Sequence, residues 1–402
     1  MKNKKRVIAI DYFRGACMLA VVINHASLFN NPLTYLAGAG RLWTGAAEMF
    51  FLLSGITFTL VRGKLAHSDF RQVLSKSWRR AAQLYVLNFL VILASLTLAF
   101  WLGAKGHSYN MPGSLPSGSF GQLMVGVLSL QYGFGWASFL MYYSIFLLLA
   151  PFALKLLYSR LWLVVPLISA GLFAANFFHP LASTYYFFFV WQIYFFLGMS
   201  LSRWRKLALN WYRALAKYPR RGLNAAILIC AGATAILGGL LAFKPGVVAA
   251  RIPHFGWFLA HQAGFNHYFQ ASRTGLLRPL AALLVLASAY IIYKKYEKFL
   301  LAKTGKLVNS IGRASLTVFT AQAIAIPVVS ALPMTHRSPV LNTLVTAGLC
   351  CLMYYVAQYA RLVHHINKSI ASLATSLMNW SYLSASAVKT ILAKFASSPE
   401  ID

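Results

Sequence analysis

Ionisable side chains lie at membrane depth near the start of this chain. Residues 7–29 form the first stretch that is apolar enough to cross a membrane, and they include Asp11, Arg14 and His25. Glu48 lies in the next apolar stretch, although the chain has only six acidic residues in total. Charged groups at this depth cost several kcal/mol, so they usually mark a site of proton transfer, ligand binding or transport.

The polar residues of the first stretch share one helix face. Asp11, Arg14, Met18, Val21 and His25 follow one another at steps of three or four residues, which is the spacing of one face of an α-helix. Arg14 and His25 would then lie about 16 Å apart along the axis. This places Arg14 near the cytoplasmic side and His25 near the outer side, if the N-terminus is inside.

Glu48 is predicted to reach the same depth as His25. The second span runs back from the outer surface, so Glu48 lies about 5 or 6 Å below that surface. A carboxylate beside an imidazole fixes its tautomer and raises its basicity, as a general base requires. We therefore predict that His25 and Glu48 form a catalytic pair, and that Arg14 binds an anionic ligand from below.

Structural roles for the same residues stay open at this point. Asp11 and Arg14 could form an i,i+3 ion pair that neutralises both charges. His25 could be a buried histidine that is hydrogen-bonded to neighbouring backbone. Glu48 would then be only the partner that offsets the cost of burying it. Ser54 is a weaker candidate nucleophile, and Ser54 and Gly55 are better explained as small residues that let helices approach closely.

Composition predicts an all-α, polytopic integral membrane protein. Apolar residues make up 59% of the chain and charged residues 11%, and many runs reach the roughly 20 residues that span a bilayer. We predict one transmembrane domain over residues 1–368 and a cytoplasmic tail over 369–402, which is either an amphipathic helix or an eleventh span. The predicted spans are 7–29, 44–61, 81–103, 136–157, 161–178, 184–202, 223–243, 276–293, 314–332 and 340–360.

The positive charge sets the predicted orientation. The net charge is +31, and most of the 37 Lys and Arg residues fall in alternate loops, which predicts that both termini are cytoplasmic. This placement favours anionic membrane lipids as partners and argues against nucleic acid.

The four cysteines form neither a disulfide framework nor a CxxC pattern, and the histidines of the outer loop 244–275 lack metal-site spacing, so we expect no metal. The oligomeric state is left open.

Several motifs resemble one family of membrane enzymes. Asp11-Tyr12-Phe13-Arg14-Gly15 followed by Asn24-His25 resembles the first span of the OpgC-type branch of transmembrane acyltransferases, and the Arg-to-His spacing is shared with the wider acyltransferase-3 superfamily. Residues 46–55, with a Glu, an apolar run and Ser-Gly, are similar to the second span of that branch. Weaker likenesses follow in the expected order at 143–151, 191–195, 273–279 and 311–319.

The resemblance implies a reaction and roles for residues. It implies a multi-pass protein of the bacterial inner membrane that transfers an acyl group, such as succinyl or acetyl, from cytoplasmic acyl-CoA to a hydroxyl of a periplasmic or cell-surface glycan. Acyl-CoA would be a co-substrate, with no bound cofactor. By position, His25 would be the base, Glu48 would orient it, and Arg14 with Asp11 would bind acyl-CoA. Trp191, Gln192 and Arg278 would line the substrate pocket, with Arg278 facing a succinyl carboxylate.

A transporter or flippase is the alternative from another functional class. In it, Asp11, Arg14, His25 and Glu48 would form a path for protons or substrate. Such proteins often have broken helices at matching positions of two repeats. The two halves of this sequence lack corresponding Gly and Pro interruptions, which lowers the weight of this alternative.

Overall fold

The protein is helical throughout the part of the chain that the structure describes. The computed structural model describes residues 7–26, 32–38, 42–104, 120–129, 136, 138–180, 186–243, 260–269, 275–331, 338–360, 369–370, 372–373 and 375–376. Within these ranges there is no β-strand, which confirms the predicted all-α class. The helices are α1 (Ile8–His25), α2 (Leu33–Leu36), α3 (Ala46–Arg62), α4 (Leu65–Ser68), α5 (Phe70–Ala104), α6 (Phe120–Leu128), α7 (Ser138–Leu157), α8 (Val164–Phe178), α9 (Tyr186–Ala214), α10 (Lys217–Phe243), α11 (Gln262–Phe269), α12 (Arg278–Arg313), α13 (Ser315–Ser330) and α14 (Pro339–Gln358).

Several of these helices are long and apolar enough to cross a membrane. In the described part of the chain, α1, α5, α7, α10 and α14 meet this requirement. Helices α12 and α13 meet it together, as a pair bent by 84° at the break between them. Helices α3 and α8 have 17 and 15 residues, near or below the usual lower limit of about 17 for a span. The chain is therefore a helical membrane protein, and the count of ten spans stays a prediction.

Three helices extend well beyond the predicted spans. Helix α5 begins at Phe70 rather than near residue 81, and α9 continues to Ala214 rather than ending near residue 202. Helix α12 runs to Arg313, but its backbone leaves helical geometry at Tyr296 (φ −114°, ψ 21°), close to the predicted end at residue 293. The added segments are rich in Lys and Arg, which are good helix formers. Charge therefore marks a predicted membrane boundary in α5 and α9 without ending the helix, whereas α12 has a kink there. The greater part of the tail 369–402, with its possible eleventh span, lies outside the described residues.

Glycines allow two pairs of helices to pack closely. Gly55 of α3 lies against the backbone of α9, and Gly198 of α9 lies against the backbone of α3. Gly15 of α1 and Gly312 of α12 make the same kind of contact between their two helices. A Cβ at any of these positions would overlap the partner backbone, which explains why a small residue is needed there. The close approach predicted for Gly55 is confirmed.

Candidate active site

His25 lies at the end of α1, and α13 holds its ring. The Nδ1 atom of His25 is 2.7 Å from the Oε1 atom of Gln322, a fully buried residue of α13. With the amide oxygen as acceptor, Nδ1 donates the hydrogen, so Nε2 keeps its lone pair. This is the tautomer in which Nε2 can accept a proton.

A small apolar chamber surrounds His25. The ring of His25 stacks on Trp136, with centroids 4.0 Å apart and planes within 6° of parallel. Trp191 and Phe319 also line the chamber, whose volume is about 180 Å³. Met18 and Val21 line it as well, so the helix face that the sequence indicated does border a cavity.

Arg14 borders a second cavity further along the same helix face. Its Nη2 atom donates a hydrogen bond of 2.8 Å to the Oγ atom of Ser315, the first residue of α13. Helix α13 therefore contacts two of the three polar residues of this face, Arg14 through Ser315 and His25 through Gln322. The sharp bend between α12 and α13 brings α13 alongside α1.

The cavity at Arg14 is strongly basic. It has a volume of about 430 Å³ and is lined by side chains of α1, α3, α5 and α7. Five of the described lining residues are cationic, and none of the described ones is acidic: Arg14, Arg62, Lys76, Arg79 and Arg80. So many like charges around one space repel each other unless an anion neutralises them. We call this space the basic cavity.

Three residues that line this cavity have unpaired polar atoms. Within the described residues, the Oγ atom of Ser54 and the Nε atoms of Arg14 and Arg62 are buried and have no hydrogen-bond partner, and all three residues line the basic cavity. Buried donors are rarely left unpaired in folded proteins. Phosphate oxygens would satisfy them, since guanidinium groups bind phosphate in a bidentate manner.

Phe50 of α3 separates the basic cavity from the chamber. Its ring lines the chamber, and the guanidinium carbon of Arg14, a residue of the basic cavity, lies 5.1 Å from the centroid of the same ring. Phe139 and Tyr143 pack edge-to-face on Phe50, and they line the chamber and the basic cavity respectively. The two spaces are thus neighbours divided by one layer of aromatic rings.

The structure contradicts the predicted pairing of His25 with Glu48. Arg278 donates through Nε to the Oε1 atom of Glu48, while Oε2 accepts hydrogen bonds from the Gly45 amide at 2.7 Å and the Thr44 hydroxyl at 3.2 Å. The physical reason is that Glu48 is the third residue of α3, where a carboxylate turns back to the free amides of the helix start. Gln322 takes the place predicted for Glu48 at His25.

Arg278 likewise has protein partners in this structure. Besides binding Glu48, its Nη1 atom donates to the carbonyl oxygens of Leu42 and Phe269, each at 2.8 Å. Only 3% of the residue is exposed. The predicted contact with a succinyl carboxylate stays a prediction, and in this structure the guanidinium already has an anionic partner. This group of residues joins the start of α3 to the start of α12.

The other predicted residues lie in different places. Trp191 lines the chamber with His25, whereas Gln192 turns away and bonds to the hydroxyl and carbonyl of Ser169 on α8. Consecutive helical residues point about 100° apart, so only one of the two can face the chamber. Asp11 lies 3.9 Å from the Nε atom of Arg313 at the end of α12, outside the described lining of the basic cavity.

Sequence reasoning missed two contributions to the site. Gln322 was overlooked although an amide within the apolar helix Ser315–Ser330 is itself an unusual polar group at membrane depth. The cations of α3 and α5 were used only to predict orientation. That they surround Arg14 depends on how α1, α3 and α5 pack, which sequence periodicity does not reveal.

Comparison with known proteins supplies the family. The sequence model of one family, described as "OpgC protein", matches residues 6–365. The chain belongs to the OpgC family. The resemblance predicted from the first two spans is thereby confirmed, and membership implies a membrane acyltransferase that modifies glycans. No curated protein and no solved structure matches the chain.

Proposed function

We propose that this OpgC-family protein is an O-acyltransferase of the bacterial inner membrane. It moves an acyl group from acyl-CoA, on the cytoplasmic side, to a hydroxyl of a periplasmic or cell-surface glycan. The observation that carries the proposal is that one face of α1 lines two adjoining cavities, a basic one at Arg14 and an apolar one at His25. A donor with phosphates at one end and a thioester at the other matches this order.

The basic cavity supports the choice of donor. CoA carries a pyrophosphate and a further phosphate, and the unpaired donors of Arg14, Arg62 and Ser54 are suited to bind them. The axial rise from Arg14 to His25 is about 16 Å, which is comparable with the extended arm that joins the phosphates of CoA to its sulfur. The acyl carbonyl would therefore reach the level of His25. The predicted part of Asp11 in donor binding stays a prediction.

The tautomer of His25 supports its role as the base. In the proposed reaction, Nε2 takes the proton of the acceptor hydroxyl while that oxygen attacks the thioester carbonyl carbon. The carbon–sulfur bond of the tetrahedral adduct then breaks, and His25 returns the proton to the departing thiolate. The products are the glycan ester and free CoA, and Gln322 keeps Nδ1 protonated throughout.

The proposed topology gives donor and acceptor opposite sides of the membrane. It has ten spans with both termini in the cytoplasm, and the alternation of Lys and Arg along the chain supports it. In this orientation the basic cavity opens toward the cytoplasm, where acyl-CoA is made. The basic inner segments would also attract anionic lipids of the cytoplasmic leaflet.

A variant of His25 tests the proposal. Full-length protein is produced in bacteria, and the glycan fraction is analysed by mass spectrometry with and without the protein. We expect His25→Ala to lower acylation by about 10²–10⁴-fold, the usual contribution of a general base, at an unchanged level of protein in the membrane. His179→Ala, at an exposed histidine that ends α8, is the matched control and should keep full activity.

The outcomes separate the functional classes. Acylation that persists in His25→Ala would contradict the role of base. A wild-type protein that adds no acyl group, yet moves a solute across the membrane without acyl-CoA, would instead identify a transporter.

A further inference from the structure

Helix α12 reaches the inner membrane surface at its kink. Arg278, the first residue of α12, bonds to Glu48 at the predicted outer end of α3. Tyr296, where the backbone leaves helical geometry, lies about 27 Å further along the helix axis. The hydrocarbon core of a bilayer is about 30 Å thick. In the proposed orientation, the kink therefore falls where α12 meets the headgroups of the cytoplasmic leaflet.

The segment that follows the kink crosses α1. Its Thr304 hydroxyl is 2.8 Å from the Tyr12 hydroxyl, and its Gly312 packs on the backbone of Asp11. Residues 304 and 312 are about 12 Å apart along their own axis, yet they meet adjacent residues of α1. The segment therefore lies across the inner end of α1 rather than along it. We call residues 297–313 the basic segment.

Exposed cations are concentrated at the kink and along the basic segment. Four lysines are exposed there: Lys295, Lys298, Lys303 and Lys306. Glu297 is the only acidic residue between residues 290 and 320, and it pairs with Lys294 at 2.8 Å. A cluster of this kind directly cytoplasmic of a membrane span is typical of sites that bind anionic phospholipids.

Exposed aromatic rings accompany these lysines. Tyr296 is 48% exposed and Phe299 is 61% exposed, and the Nζ atom of Lys295 lies 5.2 Å from the centroid of the Tyr296 ring. Aromatic and basic side chains together are typical of a helix that lies at the membrane interface. A soluble anion would pair with the lysines but leave the rings in water. A phospholipid offers a partner to both, since its phosphate meets the lysines and its acyl chains meet the rings.

The basic segment leads directly into the helix that positions the candidate site. Ser315, the first residue of α13, accepts a hydrogen bond from Arg14, and Gln322 of α13 holds the ring of His25. A lipid that fixes the basic segment at the interface would also fix α13 alongside α1. We propose that the basic segment, together with Lys295, binds an anionic phospholipid of the cytoplasmic leaflet. Resting on the proposed function, we further propose that the bound lipid promotes acyl transfer by holding α13 on α1.

Lipid titration tests the binding site. Full-length protein in a non-ionic detergent is titrated with short-chain phosphatidylglycerol below its critical micelle concentration, and the melting temperature is followed. We expect the lipid to stabilise the wild type. The double variant Lys295→Gln/Lys298→Gln should bind it at least about tenfold more weakly, because each lysine near anionic lipid contributes about fivefold in affinity.

Matched controls separate a specific site from a general effect of charge. Arg205→Gln/Lys206→Gln removes two exposed cations from α9 and should bind the lipid as the wild type does. Equal weakening in the two double variants would overturn the site. Glycerol phosphate carries an anionic phosphate without acyl chains and should stabilise the wild type little at the same concentrations. Equal stabilisation by glycerol phosphate would overturn the assignment to a lipid.

Reconstituted protein tests the effect on acyl transfer. The protein is placed in vesicles of phosphatidylcholine with or without phosphatidylglycerol. We expect phosphatidylglycerol to raise kcat for glycan acylation severalfold in the wild type and in the α9 control, but not in Lys295→Gln/Lys298→Gln. The Kd for acetyl-CoA should be the same in all three proteins, since the exchanged residues lie outside the described lining of the basic cavity.

The outcomes distinguish the lipid site from the proposed function. A wild-type kcat that does not depend on phosphatidylglycerol would overturn the effect on acyl transfer and leave the binding site to the titration. Absence of glycan acylation in every vesicle would overturn the proposed function, whereas weaker lipid binding by Lys295→Gln/Lys298→Gln alone would still support the site.

Discussion

At the scale of single residues, the site pairs its histidine with an amide rather than a carboxylate. The Gln322 amide fixes the tautomer of His25 without bringing a second charge into an apolar chamber. Burying a carboxylate there would carry a large desolvation cost. Trp136 stacks on the ring and limits its rotation. The imidazole is therefore positioned from two sides while its Nε2 atom stays available.

Substitution of Gln322 tests this positioning role. Gln322→Leu removes the acceptor of the Nδ1 hydrogen, and a hydrogen bond of this kind contributes about 1 kcal/mol. We expect kcat for glycan acylation to fall about fivefold to tenfold, with little change in KM for acyl-CoA, since Gln322 does not line the basic cavity in the described structure. Steady-state kinetics on the full-length protein in membranes would measure both.

Two companion variants sharpen the result. Gln322→Glu can still accept the Nδ1 hydrogen but adds a charge that favours protonated His25, so the pH profile of kcat should move to higher pH. Gln358→Leu removes an exposed bond to Ser310 and should change neither parameter. Equal effects of Gln322→Leu and Gln358→Leu would refute the positioning role.

At the scale of helices, Glu48 and Arg278 hold the start of α3 to the start of α12. Their side chains are only 7% and 4% exposed. The sequence predicted the depth of Glu48, because depth follows from residue number along a span. It did not predict the direction of the side chain around the helix, which depends on which neighbour lies on that side. Because the direction of the Glu48 side chain around the helix was unknown, Glu48 was wrongly paired with His25.

Breaking this pair should cost stability rather than chemistry. Glu48→Gln leaves the Arg278 cation buried with only neutral partners, and losing one partner of a buried pair typically costs about 3–5 kcal/mol. We expect a clearly lower melting temperature in detergent, with acyl-CoA binding unchanged in the protein that remains folded. Glu297→Gln breaks the exposed pair with Lys294 and should leave the melting temperature nearly unchanged, because exposed pairs contribute little to stability. A normal melting temperature for Glu48→Gln would contradict the structural role.

The same contrast applies to the fold in general. Features that depend on one segment were predictable, namely the helical class, the shared face of Arg14 and His25, and the close packing at Gly55. Features that depend on two distant segments were not, as the bonds from α1 to Ser315 and Gln322 show. No strong sequence signal predicts the bend between α12 and α13, since the residues at the bend, Arg313-Ala314-Ser315, include neither Gly nor Pro.

At the scale of the whole molecule, the large positive charge serves two purposes. Basic residues along the chain predict the orientation of the spans. Folding then gathers some of them, from α3 and α5, around Arg14. A polyanionic donor would be attracted toward this opening from a distance, because clefts lined by one sign of charge focus the field. The same residues thus orient the protein and attract its donor.

Removing exposed charges at this opening should weaken donor binding in a salt-dependent way. Lys76 and Arg79 line the basic cavity and are exposed to solvent, so Lys76→Gln and Arg79→Gln should fold normally. One exposed charge contact is worth about 1 kcal/mol, so each variant should raise the Kd for acetyl-CoA about fivefold at low salt. The difference should shrink at high salt, where the Debye length falls to about 3 Å at 1 M.

Arg205→Gln on α9, an exposed charge outside the described cavity lining, gives the effect of net charge alone. If all three variants bind acetyl-CoA equally well, the basic cavity does not bind the phosphates of the donor.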